Sequence, residues 1–216
     1  VAGHIGGISA RKLSSYDSVL TLDIHRTSAD NGVAAEHQIR MTHLLDTKVG
    51  DYQAMVPMVD IDTIGAGGGS VAYVDEGGVF RVGPQSAGAD PGPACYARGG
   101  TEPTSTDAQL LLGRLTEAGL LGGRLRLNSE SASRAFEEMT ARMELDLIRL
   151  AAGTVRIANQ RMIEAIKLVT VDRGSDPRDF VLFAFGGAGP LHACEIAREL
   201  GIGRVLIPAS PGVLSA

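Results

Sequence analysis

Apolar residues recur along the chain in two different periods, and each period predicts a different kind of element. The runs SVLTLDI and FVLFAF are almost wholly apolar and of strand length, which is typical of strands buried on both faces. Over residues 147–169, apolar positions instead return every three or four residues, with charged residues largely between them. This spacing predicts one long amphipathic helix.

The second apolar run continues into a strand, helix and strand pattern. FVLFAF is followed by the glycine turn GGAGP, the helical pattern LHACEIAREL and another apolar strand, RVLIP. Elements in this order predict a parallel pair of strands joined by a right-handed crossover. We therefore expect an α/β fold.

The middle of the chain predicts a β-hairpin. The glycine-rich stretch IGAGGGS, called the glycine loop below (residues 64–70), runs into the strand SVAYV. A turn over residues 75–78 and the returning strand VFRVG complete the hairpin.

A long connection and two shorter helices follow the hairpin. The connection is dense in Gly, Pro, Ser and Thr, and loops of this length inside a compact domain are usually functional or disordered. Thr106 and Asp107 are predicted to cap the helix AQLLLGRL, and Asn128 or Ser129 to cap a helix SESASRAFEEM.

Three weaker patterns lie earlier in the chain. GGISARKL is compatible with a short helix, and EHQIRM and AMVPMVDI are candidate strands with poor periodicity. They predict little about register.

Composition and charge narrow the classes of function. The 216 residues are 44% hydrophobic, enough for a substantial core, and a net charge of −5 without Lys or Arg clusters argues against nucleic-acid binding. No apolar run approaches the roughly 20 residues of a membrane span, and the start of the sequence lacks a signal-peptide pattern. Cys95 and Cys194 show no metal or disulfide spacing. We expect a cytoplasmic protein without nucleic-acid or membrane partners.

The end of the first buried strand carries two carboxylates and two hydroxyls. Asp23 and Asp30 enclose Thr27 and Ser28 in the stretch VLTLDIHRTSAD. Such a set can organise a hydrated Mg²⁺ and a terminal phosphate, because Mg²⁺ keeps waters and takes few protein ligands. The same residues also suit a turn and a cap, and the spacing leaves both interpretations open.

Two glycine-rich stretches are further candidates for anion binding. In GGAGP, missing side chains and a helix N-terminus can admit an anionic or flat ligand, although a simple tight connection fits equally. The glycine loop can offer successive N–H groups as an anion-binding nest, or it can be a plain entry to the hairpin.

Two acids and a cysteine complete the candidates from residue type. Asp60 and Asp62 stand two apart on a predicted strand, so they face the same side, where they either bind metal or line a solvated edge. Cys95 lies in the long connection without a neighbouring base, which disfavours a nucleophilic role.

Together these motifs resemble the hydantoinase A/oxoprolinase family. The resemblance rests on DIDTIGAGGGSVAYVDEGGVFRVGPQSAGADPGPACYARGGTEPTSTDAQLLLGRL, on VDRGSDPRDFVLFAFGGAGPLHACEIARELGI and on PASPGVLSA. It implies an actin-like, ribonuclease-H-like ATPase fold in which two halves clamp ATP. The chain resembles the second half only, as one half-domain over residues 1–216 with a loop and helical insertion at about 84–145.

The resemblance also assigns roles to residues. VLTLDIHRTSAD is similar to the family's second phosphate loop, D-M-G-G-T-S-T-D, with Asp23, Thr27, Ser28 and Asp30 matching. His25 and Arg26 replace two glycines, which we expect to obstruct positive φ and phosphate approach, while the Arg26 charge can partly compensate. The predicted catalytic residues are Asp23 and Asp30, and the predicted metal ligands are Asp23, Asp60 and Asp62. The predicted cofactor-binding residues are Thr27, Ser28, Gly67, Gly68, Gly69, Gly186, Gly187 and Gly189, of which the last three match the family's adenosine-side glycine turn by resemblance.

The implied chemistry is the ATP-dependent opening of a cyclic amide or imide, with ATP and Mg²⁺ as cofactors. Asp62 stands where the family commonly has His, which is a departure from the motif. The expected partners are a small cyclic amide, the first half or a companion hydantoinase B-type subunit, and a second copy in a possible homo-oligomer. Two alternatives stay open: a degenerate binding or assembly module, and the ATP-handling subunit of a ketone carboxylase.

Overall fold

The computed structural model describes Tyr16 and residues 18–35, 38–39, 48–49, 52–53 and 61–214. The chain divides into two compact units. Unit 1 comprises Val1–Asp23, Asp30–Thr63 and Ile163–Ala216, and unit 2 comprises Ile24–Ala29 and Ile64–Met162. The single half-domain over 1–216, with its insertion at 84–145, stays a prediction.

The strands are two to seven residues long. In chain order they are β1 (Val19–Ile24), β2 (Ala29–Ala35), β3 (Gln38–Ile39), β4 (Lys48–Val49), β5 (Tyr52–Gln53), β6 (Ile61–Ile64), β7 (Ser70–Val74), β8 (Phe80–Ser86), β9 (Val181–Phe185) and β10 (Val205–Leu206). The helices are α1 (Ser105–Leu111), α2 (Ser129–Ala135), α3 (Glu137–Met143), α4 (Leu147–Val169) and α5 (Gly189–Leu200).

A mixed sheet is the framework of unit 1. Its strand order is β10-β9-β1-β2-β3, with β6 paired to β2. β9 runs parallel to both β1 and β10, whereas β2 and β3 are antiparallel. The predicted α/β class and the parallel β9–α5–β10 unit are confirmed. The two apolar runs become central strands because every residue of β1 and β9 is buried, so neither face tolerates polar alternation.

Aromatic packing fills one face of this sheet. Phe183 and Phe185, both buried, place their ring centroids 5.3 Å apart, and Val19 belongs to the same cluster. Residues two apart on a strand face the same side, which is why the two rings meet.

The predicted hairpin and long helix form the body of unit 2. β7 and β8 pair antiparallel with Val74 opposite Phe80. The apolar stripe of α4 packs into a cluster with residues of the hairpin and of α1 to α3, whose buried members are Ala72, Val82, Ala108, Phe136, Met139, Leu150, Ala151, Val155 and Ala158. The helix prediction over 147–169 matches the observed bounds.

Helix starts and breaks differ from the prediction in two places. The N-cap of α1 is Thr104, not Thr106 or Asp107, and Asp107 is instead the third helical residue of a capping box. The helix predicted from Ser129 does begin after the Asn128 cap, but it breaks at Phe136 into α2 and α3. Phe136 is fully buried and its backbone stays in the right-handed helical region at this break.

Some predicted elements lie partly or wholly outside the described residues. The helix GGISARKL is outside them, and of EHQIRM and AMVPMVDI only the residues of β3 and the start of β6 are described. Among the residues that the structure describes, none of the helices has the length and hydropathy needed to cross a bilayer.

The long connection is ordered by the carboxylate of Asp107. This buried side chain accepts hydrogen bonds from the Cys95 N–H at 2.7 Å, the Thr104 N–H at 2.8 Å and the Thr104 hydroxyl at 2.7 Å. Asp107 therefore joins the connection to the start of α1.

We expect Asp107→Ala to lower the free energy of unfolding by about 3 kcal/mol or more, because it leaves two buried N–H donors without an acceptor. Asp146→Ala is the matched control. The Asp146 carboxylate also accepts a backbone N–H, that of Arg149 at 2.9 Å, but it is exposed, so its loss should cost about 1 kcal/mol. Urea unfolding measures both, and equal losses would contradict the structural role of Asp107.

Candidate functional site

The end of β1 lies beside the end of β9 at one edge of the unit 1 sheet. The parallel register pairs Asp23 with Phe185, and Gly186 follows Phe185 directly. Carboxyl ends of parallel strands share an edge, and ligands of open α/β sheets bind there. Asp23, only 4% exposed, therefore stands next to the start of the turn formed by residues 186–189.

This glycine turn is open to solvent at its centre. Gly186 has a φ of +78° and donates its N–H to the Pro211 carbonyl at 2.9 Å. Gly187 is exposed, and a Cβ added there would meet no atom within 4 Å. Gly189 starts α5, whose N-cap residue Ala188 makes no side-chain cap. The turn therefore leaves space in front of helix N–H groups that carry no side-chain acceptor.

Asp23, near the end of β1, and Asp30, near the start of β2, lie close together. Each offers a carboxylate oxygen within 4.8 Å of one on the other. Asp30 Oδ1 is buried and has no hydrogen-bond partner among the described residues. Two carboxylates at this distance suit a hydrated divalent cation.

The four residues between the two strands, 25–28, form the β1–β2 loop and belong to unit 2 with the glycine loop. The His25 N–H donates to the Ser28 carbonyl at 2.9 Å, which closes a tight turn. The side chains of His25, Arg26 and Thr27 are exposed. Neither His25 nor Arg26 has a positive φ. Both residues therefore keep ordinary backbone conformations, as expected of residues that disfavour positive φ, and their effect on phosphate approach stays a prediction.

The glycine loop packs directly against the backbone of the β1–β2 loop. The Gly68 N–H donates to the His25 carbonyl at 3.0 Å, and the Gly69 N–H donates to the Arg26 carbonyl at 2.7 Å. A Cβ on Gly67 would lie 2.6 Å from the His25 oxygen and 2.7 Å from the Arg26 oxygen. Glycine is required here for close approach of two backbones rather than for positive φ.

These hydrogen bonds fix which way the N–H groups of the β1–β2 loop face. In a trans peptide the N–H points opposite to the C=O. Because the His25 and Arg26 carbonyls face the glycine loop, the Arg26 and Thr27 N–H groups face away from it. Within the described part of the chain, the N–H groups of Arg26, Thr27 and Ser28 donate to no acceptor. Successive N–H groups of this kind can bind an anion.

The N–H groups of the glycine loop have acceptors inside the protein. Gly67 donates to the Ser70 hydroxyl at 2.8 Å, and Gly68 and Gly69 donate to the β1–β2 loop. An anion nest at these three glycines would require those bonds to break. Cofactor binding by Gly67, Gly68 and Gly69 stays a prediction, and what the structure assigns to them is support of the β1–β2 loop.

The second pair of predicted metal ligands is only partly described. Asp60 lies outside the described residues. Asp62 is half-buried on β6, its Oδ2 has no hydrogen-bond partner among the described residues, and burial raises the pKa of its carboxyl. A desolvated carboxylate attracts a cation or a proton, so a metal role for Asp62 stays a prediction.

Asn31 is a candidate that sequence reasoning missed. It lies on β2 next to Asp30, it is fully buried, and neither its Oδ1 nor its Nδ2 has a partner among the described residues. The only available signal was an amide in a stretch otherwise of small and apolar residues. Cys95 is the opposite case. Burial, and then the Asp107 carboxylate, raise the pKa of its thiol, which keeps it protonated and supports a structural role.

We expect Gly67→Ala to destabilise the protein by about 1–3 kcal/mol, because the added methyl group overlaps backbone oxygens that have no room to move. The matched control is Gly203→Ala, where an added Cβ meets no atom within 4 Å and φ is not positive. That change should be neutral or slightly stabilising. Urea unfolding of both variants is the measurement, and equal stabilities would contradict the close approach.

Asp62→Asn should raise the melting temperature at pH 7 in EDTA, because a raised carboxyl pKa means that the fold disfavours the charged form. This gain in melting temperature should shrink as the pH falls from above the raised pKa of Asp62 toward the ordinary pKa of an aspartate, because the parent carboxyl then becomes protonated and neutral. Asp75→Asn should instead lower the melting temperature at pH 7. The hydrogen bond from Arg81 lowers the pKa of Asp75 and so stabilises its carboxylate at neutral pH. A destabilised Asp62→Asn variant at pH 7 in EDTA would contradict the desolvation of Asp62.

Comparison with known proteins places these features in a family. The family model for hydantoinase/oxoprolinase matches residues 1–216. An uncharacterized protein of Methanocaldococcus jannaschii is 50% identical over 225 residues, which covers 100% of this chain and 33% of that protein. The alpha subunit of caprolactamase from Pseudomonas jessenii is 41% identical over 203 residues, with 94% of this chain and 29% of the subunit covered.

Solved structures agree with this result. The nucleotide-free structure of acetone carboxylase, an enzyme of ATP-dependent acetone carboxylation, superposes with a TM-score of 0.90 at 26% identity, over 99% of this chain and 30% of that chain. The ATP-dependent caprolactamase structure gives a TM-score of 0.85 at 38% identity, over 99% and 31%. The chain thus spans about a third of the length of each of these four matched chains. It belongs to the hydantoinase/oxoprolinase family.

Proposed function

We propose that this chain is the second nucleotide-binding half of an ATP-dependent enzyme that opens a cyclic amide or imide of the hydantoin or oxoproline type. The observation that carries the proposal is the register of β1 and β9, which brings Asp23 beside the open turn at Gly186–Gly187 on one sheet edge. The ATP dependence of caprolactamase and acetone carboxylase supports it.

The sheet edge of unit 1 would bind the metal and the nucleotide. Asp23 and Asp30 would hold Mg²⁺ through its waters, since Mg²⁺ is usually bound by one or two carboxylates. The open space at Gly187 and the uncapped start of α5 would accept an anionic or flat part of ATP, because a helix N-terminus attracts negative charge. Gly186 and Gly189 shape this turn.

The β1–β2 loop of unit 2, considered by itself, is suited to bind a terminal phosphate group. The N–H groups of Arg26, Thr27 and Ser28 and the hydroxyls of Thr27 and Ser28 are donors suited to phosphate oxygens. The exposed guanidinium of Arg26 adds positive charge where relatives of the motif have glycine. The degenerate binding or assembly module stays an alternative, and binding of Mg-ATP separates it from the proposed function.

An amide carbonyl carbon is a poor electrophile, and ATP would activate it by phosphorylation of the amide oxygen. Transfer of the γ-phosphoryl group to the amide oxygen forms a P–O bond and releases ADP. One water then adds to the carbonyl carbon and the ring C–N bond breaks, giving an amine and an acyl phosphate. A second water releases phosphate and leaves a carboxylate. The residues of this chain would act on the first step, by orienting the triphosphate and stabilising its charge.

The rest of the enzyme would come from other polypeptide segments. The matched caprolactamase protein is called the alpha subunit of that enzyme. This name supports the proposal that this protein has a companion subunit of the hydantoinase B type. The first half of the ATP clamp would complete the nucleotide cleft. A small cyclic amide would be the substrate.

A second candidate is the ATP-handling subunit of a ketone carboxylase, favoured by the TM-score of 0.90 to acetone carboxylase. ATP hydrolysis by the protein with its companion subunits separates the two. Stimulation by hydantoins, oxoproline or lactams supports the amide reaction, whereas stimulation by acetone only with bicarbonate supports carboxylation.

Calorimetry with Mg-ATP tests the proposed site. Asp23→Asn should weaken Mg-ATP binding by about 10-fold or more, because it removes the charge that holds the metal. Asp179→Asn is the control: Asp179 is exposed and lies just before the start of β9, at the opposite edge of the same sheet, so binding should not change. A melting curve for each variant verifies folding. Unchanged affinity in folded Asp23→Asn would overturn the assignment.

A further inference from the structure

We infer that Thr106 is a positioning residue for the β1–β2 loop, acting through the peptide group that joins Gly68 and Gly69. This inference rests on the proposed role of the loop in holding a terminal phosphate. It concerns unit 2 alone, and it gives a function to the first turn of the helix α1 (Ser105–Leu111).

Thr106 makes two hydrogen bonds to one acceptor. Its N–H and its Oγ1 both donate to the Gly68 carbonyl, each at 2.8 Å, although the two residues are 38 positions apart in the chain. Thr106 is 8% exposed. It lies in the first turn of α1, which the capping box of Thr104 and Asp107 holds in place.

The bonded carbonyl belongs to the same peptide group as the Gly69 N–H, which donates to the Arg26 carbonyl at 2.7 Å. A peptide group between two glycines reorients at low cost, because no Cβ restricts either side. Two donors on the Gly68 oxygen therefore select the orientation in which the Gly69 N–H faces Arg26. Donors on the oxygen also polarise the peptide group and strengthen the bond that its N–H makes.

The effect continues one peptide group further. The Arg26 carbonyl that accepts this bond is joined to the Thr27 N–H, which faces away from the glycine loop. The hydroxyl of Thr106 thus sets the direction of an N–H group that would meet phosphate, without touching the ligand. A residue that acts in this way should alter discrimination between ATP and ADP more than affinity for the nucleotide in general.

The test compares three variants of the protein. Thr106→Val removes the hydroxyl and keeps the shape, and Thr106→Ser keeps the hydroxyl. The matched control is Thr154→Val, which removes another fully buried hydroxyl bonded to a carbonyl, that of Leu150 at 2.9 Å, within α4 of the same unit. If Thr106→Val does not fold, Thr106→Ala takes its place.

The first measurement is amide hydrogen exchange at Gly69, which needs no nucleotide. Thr106→Val should speed exchange there by about 3- to 10-fold, the loss expected for one hydrogen bond, while Thr106→Ser and Thr154→Val exchange as the parent does. Parent-like exchange at Gly69 in Thr106→Val, or the same acceleration in Thr106→Ser, would overturn the inference.

The second measurement is the ratio of Mg-ATP to Mg-ADP affinity by calorimetry. Thr106→Val should lower Mg-ATP affinity by about 3- to 10-fold and change Mg-ADP affinity by less than about twofold. An equal loss of affinity for Mg-ATP and Mg-ADP would indicate that Thr106 has only a structural role, and it would overturn the inference. A parent that binds neither nucleotide contradicts the proposed function instead, and the exchange measurement then decides the positioning role alone.

Discussion

The close approach of two stretches of backbone determines the conformation of the β1–β2 loop. Residues 25 and 26 lie against the glycine loop so tightly that a single methyl group at Gly67 would overlap two carbonyl oxygens. Hydrogen bonds from Gly68 and Gly69 then hold those oxygens on one side. The donors that can meet a ligand face the other side for that reason alone, since a peptide group has two opposed polar ends.

In this structure the close approach of the two backbones requires glycine in the glycine loop and not in the β1–β2 loop. A loop that approaches phosphate through its own glycines depends on their freedom at positive φ. Here His25 and Arg26 occupy ordinary backbone conformations with exposed side chains, and the lack of side chains is needed instead at Gly67 and Gly69 beneath them. Arg26 thus adds a positive charge to this loop on an exposed side chain.

The sequence predicted the elements whose pattern is local and strong. The hairpin, the helix over 147–169 and the β9–α5–β10 unit each follow from contiguous apolar, periodic or glycine-turn patterns, and each is present. β2 was not predicted, because Asp30, Asn31 and Gly32 are typical turn residues, and only pairing with β1, β3 and β6 makes them a strand. The break at Phe136 was not predicted either, and it coincides with a fully buried ring.

The candidate site was predictable in its residue types but not in its hydrogen bonds. Asp23, Asp30 and the turn at residues 186–189 followed from motifs at strand ends. The double bond from Thr106 to Gly68 spans 38 positions and involves a backbone acceptor, so no spacing rule indicates it. Asn31 escaped notice for a related reason, as its burial depends on neighbouring strands.

The parallel pairing of β1 with β9 has a consequence for how the protein reaches its native state. The two strands are about 160 positions apart in the chain, and their contact closes a very long loop. Contacts of such sequence separation form slowly, and a ribosome delivers β9 only after the roughly 160 residues that separate it from β1 have been synthesised. Until then the flank of β1 has no neighbour on that side, and a chaperone or a pairing strand from another molecule would compete for it.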